Sequence, residues 1–177
     1  GPESGYQPTA EQVAQSWTAR TRGLLVASPA NPTGTLISAS AMAGLAACVR
    51  ERGGALLVDE IYHGLTYDCD AQTAVSLSDE IFVINSFSKY FGMTGWRLGW
   101  LVAPSRCVRD IEKLAQNLFI SPSTPAQHAA LAAFKPETIA LLEGRRAEFR
   151  ARRDFLLPAL RRLGFRVAAE PRGAFYL

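Results

Sequence analysis

Lysine is scarce in this chain. Of nineteen basic residues only Lys89, Lys113 and Lys135 are lysines. Lys89 stands in SFSKYFGMTGWRLGW, residues 86–100, flanked by Ser86 and Ser88 and followed eight positions on by Arg97. A solvated surface accepts either cation. Chemistry that needs a neutral amine accepts only lysine, because guanidinium stays charged at any working pH. Two hydroxyls and a guanidinium fork beside a glycine-rich turn match the oxygens of a phosphate. An amine in the same pocket could hold a carbonyl as a Schiff base. A further group, Asp59, lies at the end of the apolar run ALLVDE, residues 55–60. A carboxylate at the end of a buried strand is costly unless a cation meets it.

These groups act together only if the fold gathers them. RGLLVASP (22–29), ALLVDE (55–60) and IFVIN (81–85) are short apolar runs bounded by turn residues, which predicts three buried strands. Ser38 or Ser40 caps a helix to about Arg52, and Gly53 and Gly54 end it. Strand, helix and strand in that order predict a parallel βαβ unit. The stretch 61–80 is long enough for a second crossover but shows no clear helix. RLGWLVAP (97–104) predicts a fourth strand, and the loop before it is too short for a parallel crossover, so it runs antiparallel. Ser105 caps a helix to about Leu118, a short helix follows two prolines in SPSTPAQHAALAAF, and a long helix covers about 137–163. Pro158 is expected to kink or break the long helix. FRVAAE and GAFYL are expected to begin a strand pair in a second domain. The fold class is therefore α/β: a mostly parallel sheet with one antiparallel strand, flanked by helices, in residues 1–150. The start of a small α+β domain follows in 151–177. GPESGYQPT reads as loop and GAFYL as a strand stopping at Leu177, so the chain is expected to be a piece of a longer protein.

In open α/β sheets, ligands sit beyond the carboxyl ends of the parallel strands. Asn31 follows the first strand, Asp59 closes the second with Tyr62 three residues on, and Ser86, Ser88 and Lys89 follow the third. Arg97 opens the strand that runs backwards, so it belongs to the same edge. A phosphate, an aldehyde and a protonated ring nitrogen, the partners these groups suit, together describe pyridoxal 5′-phosphate.

SPANPTG (28–34), VDEIYHGLTY (58–67) and SFSKYFGMTGWRLGW occur in that order. On these motifs the chain, over residues 6–177, resembles the fold-type I aminotransferases of the aspartate aminotransferase family. The resemblance implies a pyridoxal-phosphate-dependent enzyme moving an amino group between an amino acid and a 2-oxo acid. Its catalytic residues would be Lys89, Asp59 and Tyr62. Lys89 would carry the cofactor and shuttle the proton, and Asp59 would pair with the ring nitrogen. Tyr62 and Asn31 would hydrogen-bond the ring oxygen, and Ser86, Ser88 and Arg97 would hold the phosphate. The resemblance also implies a homodimer, in a cytoplasmic setting. Family members carry a phosphate-gripping helix start before this stretch and a carboxylate-binding arginine after it, so the 177-residue segment alone is expected to be inactive. Carbon–sulfur lyases and decarboxylases of the same fold share Lys89 and Asp59 and stay open, as does an aminotransferase-like effector domain of a transcription regulator. QNLFISPSTPAQ (116–127) holds no arginine, so it lends no support to aspartate specificity.

Composition narrows the remaining classes. The chain is 48% hydrophobic and 20% charged with net charge +3, ordinary for a soluble globular protein. No apolar run approaches a membrane span, and neither a membrane nor a nucleic-acid partner is expected. Cys48, Cys69 and Cys107 are far apart with no C-x-x-C spacing, which fits a reduced intracellular setting and no metal site. LLVDE would also suit a P-loop ATPase, but G-x-x-x-x-G-K-[ST] is absent. The arginine-rich stretch 143–165 interleaves Glu143, Glu148 and Asp154. Its Leu142, Phe149, Leu156, Leu160 and Leu163 recur at helical spacing, which predicts an exposed amphipathic helix rather than a nucleic-acid surface. His63 and His128 share no motif and receive no role.

Overall fold

The structure is a computed structural model that describes residues 1–69 and 71–177. Four strands, β1 (Gly23–Ala27), β2 (Ala55–Asp59), β3 (Phe82–Ser86) and β4 (Gly99–Val102), form one sheet in the order β1-β2-β3-β4. The first three are parallel and β4 is antiparallel to β3, as the short loop before it requires. Five α-helices accompany them: α1 (Ala10–Ser16), α2 (Ala39–Glu51), α3 (Ser105–Leu118), α4 (Thr124–Ala133) and α5 (Pro136–Arg162).

Period-two alternation sets which side of the sheet is core. Val26, Val58 and Val83 are cross-strand neighbours, and all three are buried. They pack with Leu56 against Met42, Leu45, Cys48 and Val49 of α2 and Val13 of α1. Their neighbours in sequence, Asp59 and Ile84 among them, must then face the other way. Leu45 has no exposed surface, and truncating such a residue to Ala costs about 2–5 kcal/mol. Serine 38 caps α2 through its hydroxyl, which accepts the Ala41 N–H, and Gly53 past the end adopts φ 65°.

Several expectations need correction. α1 covers Ala10–Ser16, directly after the stretch read as loop, where the sequence reading assigned no element. Its start is a reciprocal cap: the Thr9 hydroxyl accepts the Gln12 N–H and Gln12 Oε1 accepts the Thr9 N–H. Ser105 is the first residue of α3 rather than its cap, which is Pro104. Between β2 and β3 the described residues form only a three-residue 3₁₀ turn, Ala74–Ser76. Pro158 does not break α5; it lies near the carboxyl end, where the carbonyl it cannot satisfy belongs to the exposed Asp154. Along α5 the buried positions are Leu142 and Leu157, while Leu156 and Leu163 are exposed. Neither FRVAAE nor GAFYL forms a strand. The second instead folds back, with Gly173 making an isolated bridge to Thr66.

Candidate active site

Register brings the strand ends to one edge. Ala27, the last residue of β1, pairs with Asp59, the last of β2, and Asp59 pairs with Ile84. Ser86, the last residue of β3, faces Gly99, the first of β4. The Ser28 N–H donates to the Asp59 carbonyl, so the turn carrying Asn31 leaves β1 directly beside Asp59.

Asp59 Oδ1 accepts the Ile61 N–H at 2.9 Å. Among the described residues no ion pair engages this half-buried carboxylate. The turn that follows, closed by bonds from His63 N–H to Glu60 and Leu65 N–H to Tyr62, swings Tyr62 inward until it is buried. Burial first, then its hydrogen bond to Tyr176, the Tyr176 charge and the Asp59 charge, raise the Tyr62 phenol far above the ordinary tyrosine range. Lys89 Nζ lies 5.6 Å from the Tyr62 ring centre and 5.9 Å from that of Phe175, at cation–π distance from both. Lys89 is half-buried, and among the described residues no carboxylate pairs with it. Asp59, Tyr62 and Lys89 are thus gathered.

The 86–97 loop ties the other three residues together less directly. The Ser86 hydroxyl donates to the Ser88 hydroxyl at 2.8 Å and accepts the Ser88 N–H at 3.0 Å. The Ser86 hydroxyl is also 3.1 Å from the Leu98 carbonyl, so its single proton has two acceptors in reach. Thr94 Oγ1 donates to the Ser88 carbonyl, and Arg97 Nη1 donates to the Thr94 carbonyl at 2.9 Å. Arg97 is exposed and holds φ 53°, a left-handed backbone that non-glycine residues adopt at a cost of about 1–3 kcal/mol. Asn31 is exposed on its own turn, and no hydrogen bond among the described residues joins it to Asp59 or Tyr62.

Two groups of residues escaped the sequence reading. Glu60, next to Asp59, is 4% exposed, and its carboxylate accepts from the Ala74 N–H (2.7 Å), the Thr73 hydroxyl (2.8 Å) and His63 (2.9 Å). Burial opposes its charge, but those bonds together hold the carboxyl below the usual range; the same contact raises His63. A second carboxylate at a buried strand end with histidine three residues on was the available signal. The other group is Phe175 and Tyr176, hidden by the strand assignment of GAFYL. The Tyr176 hydroxyl lies 2.7 Å from that of Tyr62.

A half-buried amine, a carboxylate with an oxygen to spare, a phenol and a serine pair near an arginine form the donor and acceptor set that pyridoxal 5′-phosphate takes. The residues fit the cofactor. With a mixed sheet carrying this set on its carboxyl edge, the architecture is that of a fold-type I transferase domain. A family model described as aminotransferase class I and II matches residues 2–177, and the chain belongs to that family. It is 43% identical to the valine–pyruvate aminotransferase of Mycobacterium tuberculosis, over 100% of this chain and 46% of that protein. It is 36% identical to the aspartate/prephenate aminotransferase of Thermus thermophilus, over 99% of this chain and 46% of that protein. A crystal structure of an aminotransferase from M. tuberculosis superposes with TM-score 0.91 at 42% identity, covering 98% of this chain and 45% of that one. The chain spans about half the length of the relatives it matches.

Proposed function

We propose that the protein is a pyridoxal-phosphate-dependent aminotransferase that moves an amino group between an amino acid and a 2-oxo acid. The observation that carries this is the gathering of Lys89, Tyr62 and Asp59 at the carboxyl edge of the sheet. When bound, the cofactor supplies an aldehyde that condenses with amines and a protonated ring that draws electrons from the adjoining carbon. Lys89 Nζ would hold the cofactor covalently, then take and return a proton once the amino substrate has displaced it. The Asp59 carboxylate keeps the ring nitrogen protonated by charge pairing. Tyr62 and Asn31 donate hydrogen bonds toward the ring oxygen, and Ser86, Ser88 and Arg97 bind the phosphate. Residues 1–150 belong to the large, cofactor-binding domain and 151–177 open the small one. A homodimer is the assembly proposed for it, as the resemblance suggests. A cytoplasmic setting is supported by three cysteines that are all free thiols.

The test loads the intact protein with pyridoxal 5′-phosphate, reduces it with borohydride and maps the labelled peptide. The label is expected on Lys89, and Lys89→Arg should abolish both label and turnover. A label on Lys113 or Lys135 would overturn the assignment. Valine and aspartate are the amino donors to try, with pyruvate as acceptor, because the names of the two relatives point to them. Return of the amine form of the cofactor by the 2-oxo acid separates transamination from lyase or decarboxylase chemistry.

A further inference from the structure

The segment 171–176 is held from two sides. Arg172 and Gly173 both donate their N–H to the Gly34 carbonyl, on the turn that carries Asn31. The Tyr67 N–H donates to the Arg172 carbonyl, the Ala174 N–H to the Leu65 carbonyl, and the Tyr67 hydroxyl to the Ala174 carbonyl at 2.7 Å. Leu65 and Tyr67 follow directly on the turn that carries Tyr62. Gly173 admits no side chain here: a Cβ would stand 2.5 Å from Pro29 Cγ. Six residues thus bridge the two loops that flank Asp59, and they end by bringing the exposed Phe175 and the half-buried Tyr176 against Tyr62.

What they present is chemically specific. Phe175 meets the Tyr62 ring edge-on at 5.4 Å, and the Lys89 ammonium lies close to both rings, 5.6 Å from Tyr62 and 5.9 Å from Phe175. Tyr176 meets Tyr62 at 5.7 Å and joins it hydroxyl to hydroxyl. A tyrosine hydroxyl has one proton to donate and lone pairs to accept with. In a pair of them one donates and the other accepts. If Tyr62 is the acceptor, its own proton remains free to point toward Lys89 and whatever acceptor lies there. If Tyr62 is the donor, that proton is spent. An acceptor beside Lys89 selects the first arrangement, and Tyr176 is what makes it available.

We propose that Tyr176 is a positioning residue for Tyr62, its hydroxyl orienting the Tyr62 hydroxyl toward the Lys89 site. This rests on the reading of Lys89 and Tyr62 as cofactor ligands. The charged and titratable groups around Tyr62 are Asp59, Lys89, Tyr90 and Tyr176, so the effect of Tyr176 must be isolated by substitution rather than by pH alone.

Tyr176→Phe keeps the ring against Tyr62 and Phe175 and removes one oxygen. In the intact protein, pyridoxal 5′-phosphate should bind about fivefold more weakly to this variant, the loss of one hydrogen bond's worth of orientation. In the cofactor-free protein, ultraviolet difference titration should show the Tyr62 ionisation displaced from its wild-type position, while the melting temperature changes little. Tyr62→Phe should weaken binding too, and adding Tyr176→Phe to it should cause no further loss. Additive losses, or wild-type affinity and titration in the single variant, would overturn the positioning role. If borohydride fails to label Lys89 in the wild-type protein, the site reading fails first; a label on Lys89 with an unaffected Tyr176→Phe variant overturns this inference alone.

Discussion

At the scale of single residues, Asp59 separates charge from shape. Its Oδ1 already serves the fold by accepting the Ile61 N–H. An asparagine can make the same bond through its own Oδ1, so the turn leading to Tyr62 survives the change. What asparagine cannot supply is a negative charge opposite a protonated ring nitrogen. Asp59→Asn is therefore expected to lower turnover by about a hundredfold or more, the scale seen when one electrostatic partner of a reacting group is removed. Stability should change by less than about 1 kcal/mol. Single-turnover kinetics and thermal melting of the same preparations check this. Near-native turnover with a large drop in melting temperature would make Asp59 a structural residue. The motif around Asp59 was legible because charge at the end of an apolar run is conspicuous. The partner of Tyr62 was not, because a hydroxyl pair 114 residues apart in sequence leaves no local trace.

At the scale of elements, what was legible and what was not divides by range of interaction. β1, β2, β3 and β4 were each found within a few residues, because a buried strand needs only a short apolar run between turns. α1 has only seven residues and too few apolar positions to show a period. FRVAAE and GAFYL contain strand-forming residues, but strands exist only by pairing, and in this chain the loop around Thr66 supplies a single bridge. The Glu60 clamp is likewise non-local and makes a prediction of its own. It fastens the Thr73–Ala74 turn to the end of β2, one residue from Asp59. The folded Glu60 value is below its ordinary 4.5, so its contribution is present above that pH and lost as pH falls through the folded value. The folded His63 value is above its ordinary 6.5, so its share is full below 6.5 and fades as pH rises through the folded value. The stability difference between wild type and Glu60→Gln should thus peak between those two ordinary values. It should reach about 1–3 kcal/mol, the cost of leaving buried donors poorly met. Denaturant melts across pH measure it; a difference that stays flat with pH would show that the clamp works without charge.

At the scale of the whole molecule, the apolar surface is unevenly covered. One face of the sheet is sealed by α1 and α2, but every residue of β4 is exposed, Trp100, Leu101 and Val102 among them. Leu25 on β1 is 64% exposed, and Leu118 and Ile120 at the end of α3 are 78% and 81% exposed. The long helix α5 behaves differently. Five of its seven arginines are met by carboxylates, Arg146 by Glu143, Arg150 and Arg153 by Asp68, Arg152 by Glu148 and Arg161 by Glu170. Most of its charge is therefore paired within the chain, whereas the apolar β4 edge is uncovered. An exposed strand edge bearing large apolar side chains is a template for association. The chain is expected to self-associate as concentration rises. Leu101→Lys places a charge in the middle of that edge and should shift the chain toward monomer, because a buried ammonium opposes edge-to-edge pairing. Light scattering over a concentration series, with and without the substitution, reads the effect. A monodisperse monomer from the unsubstituted chain across that series would mean that the exposed β4 edge does not drive association.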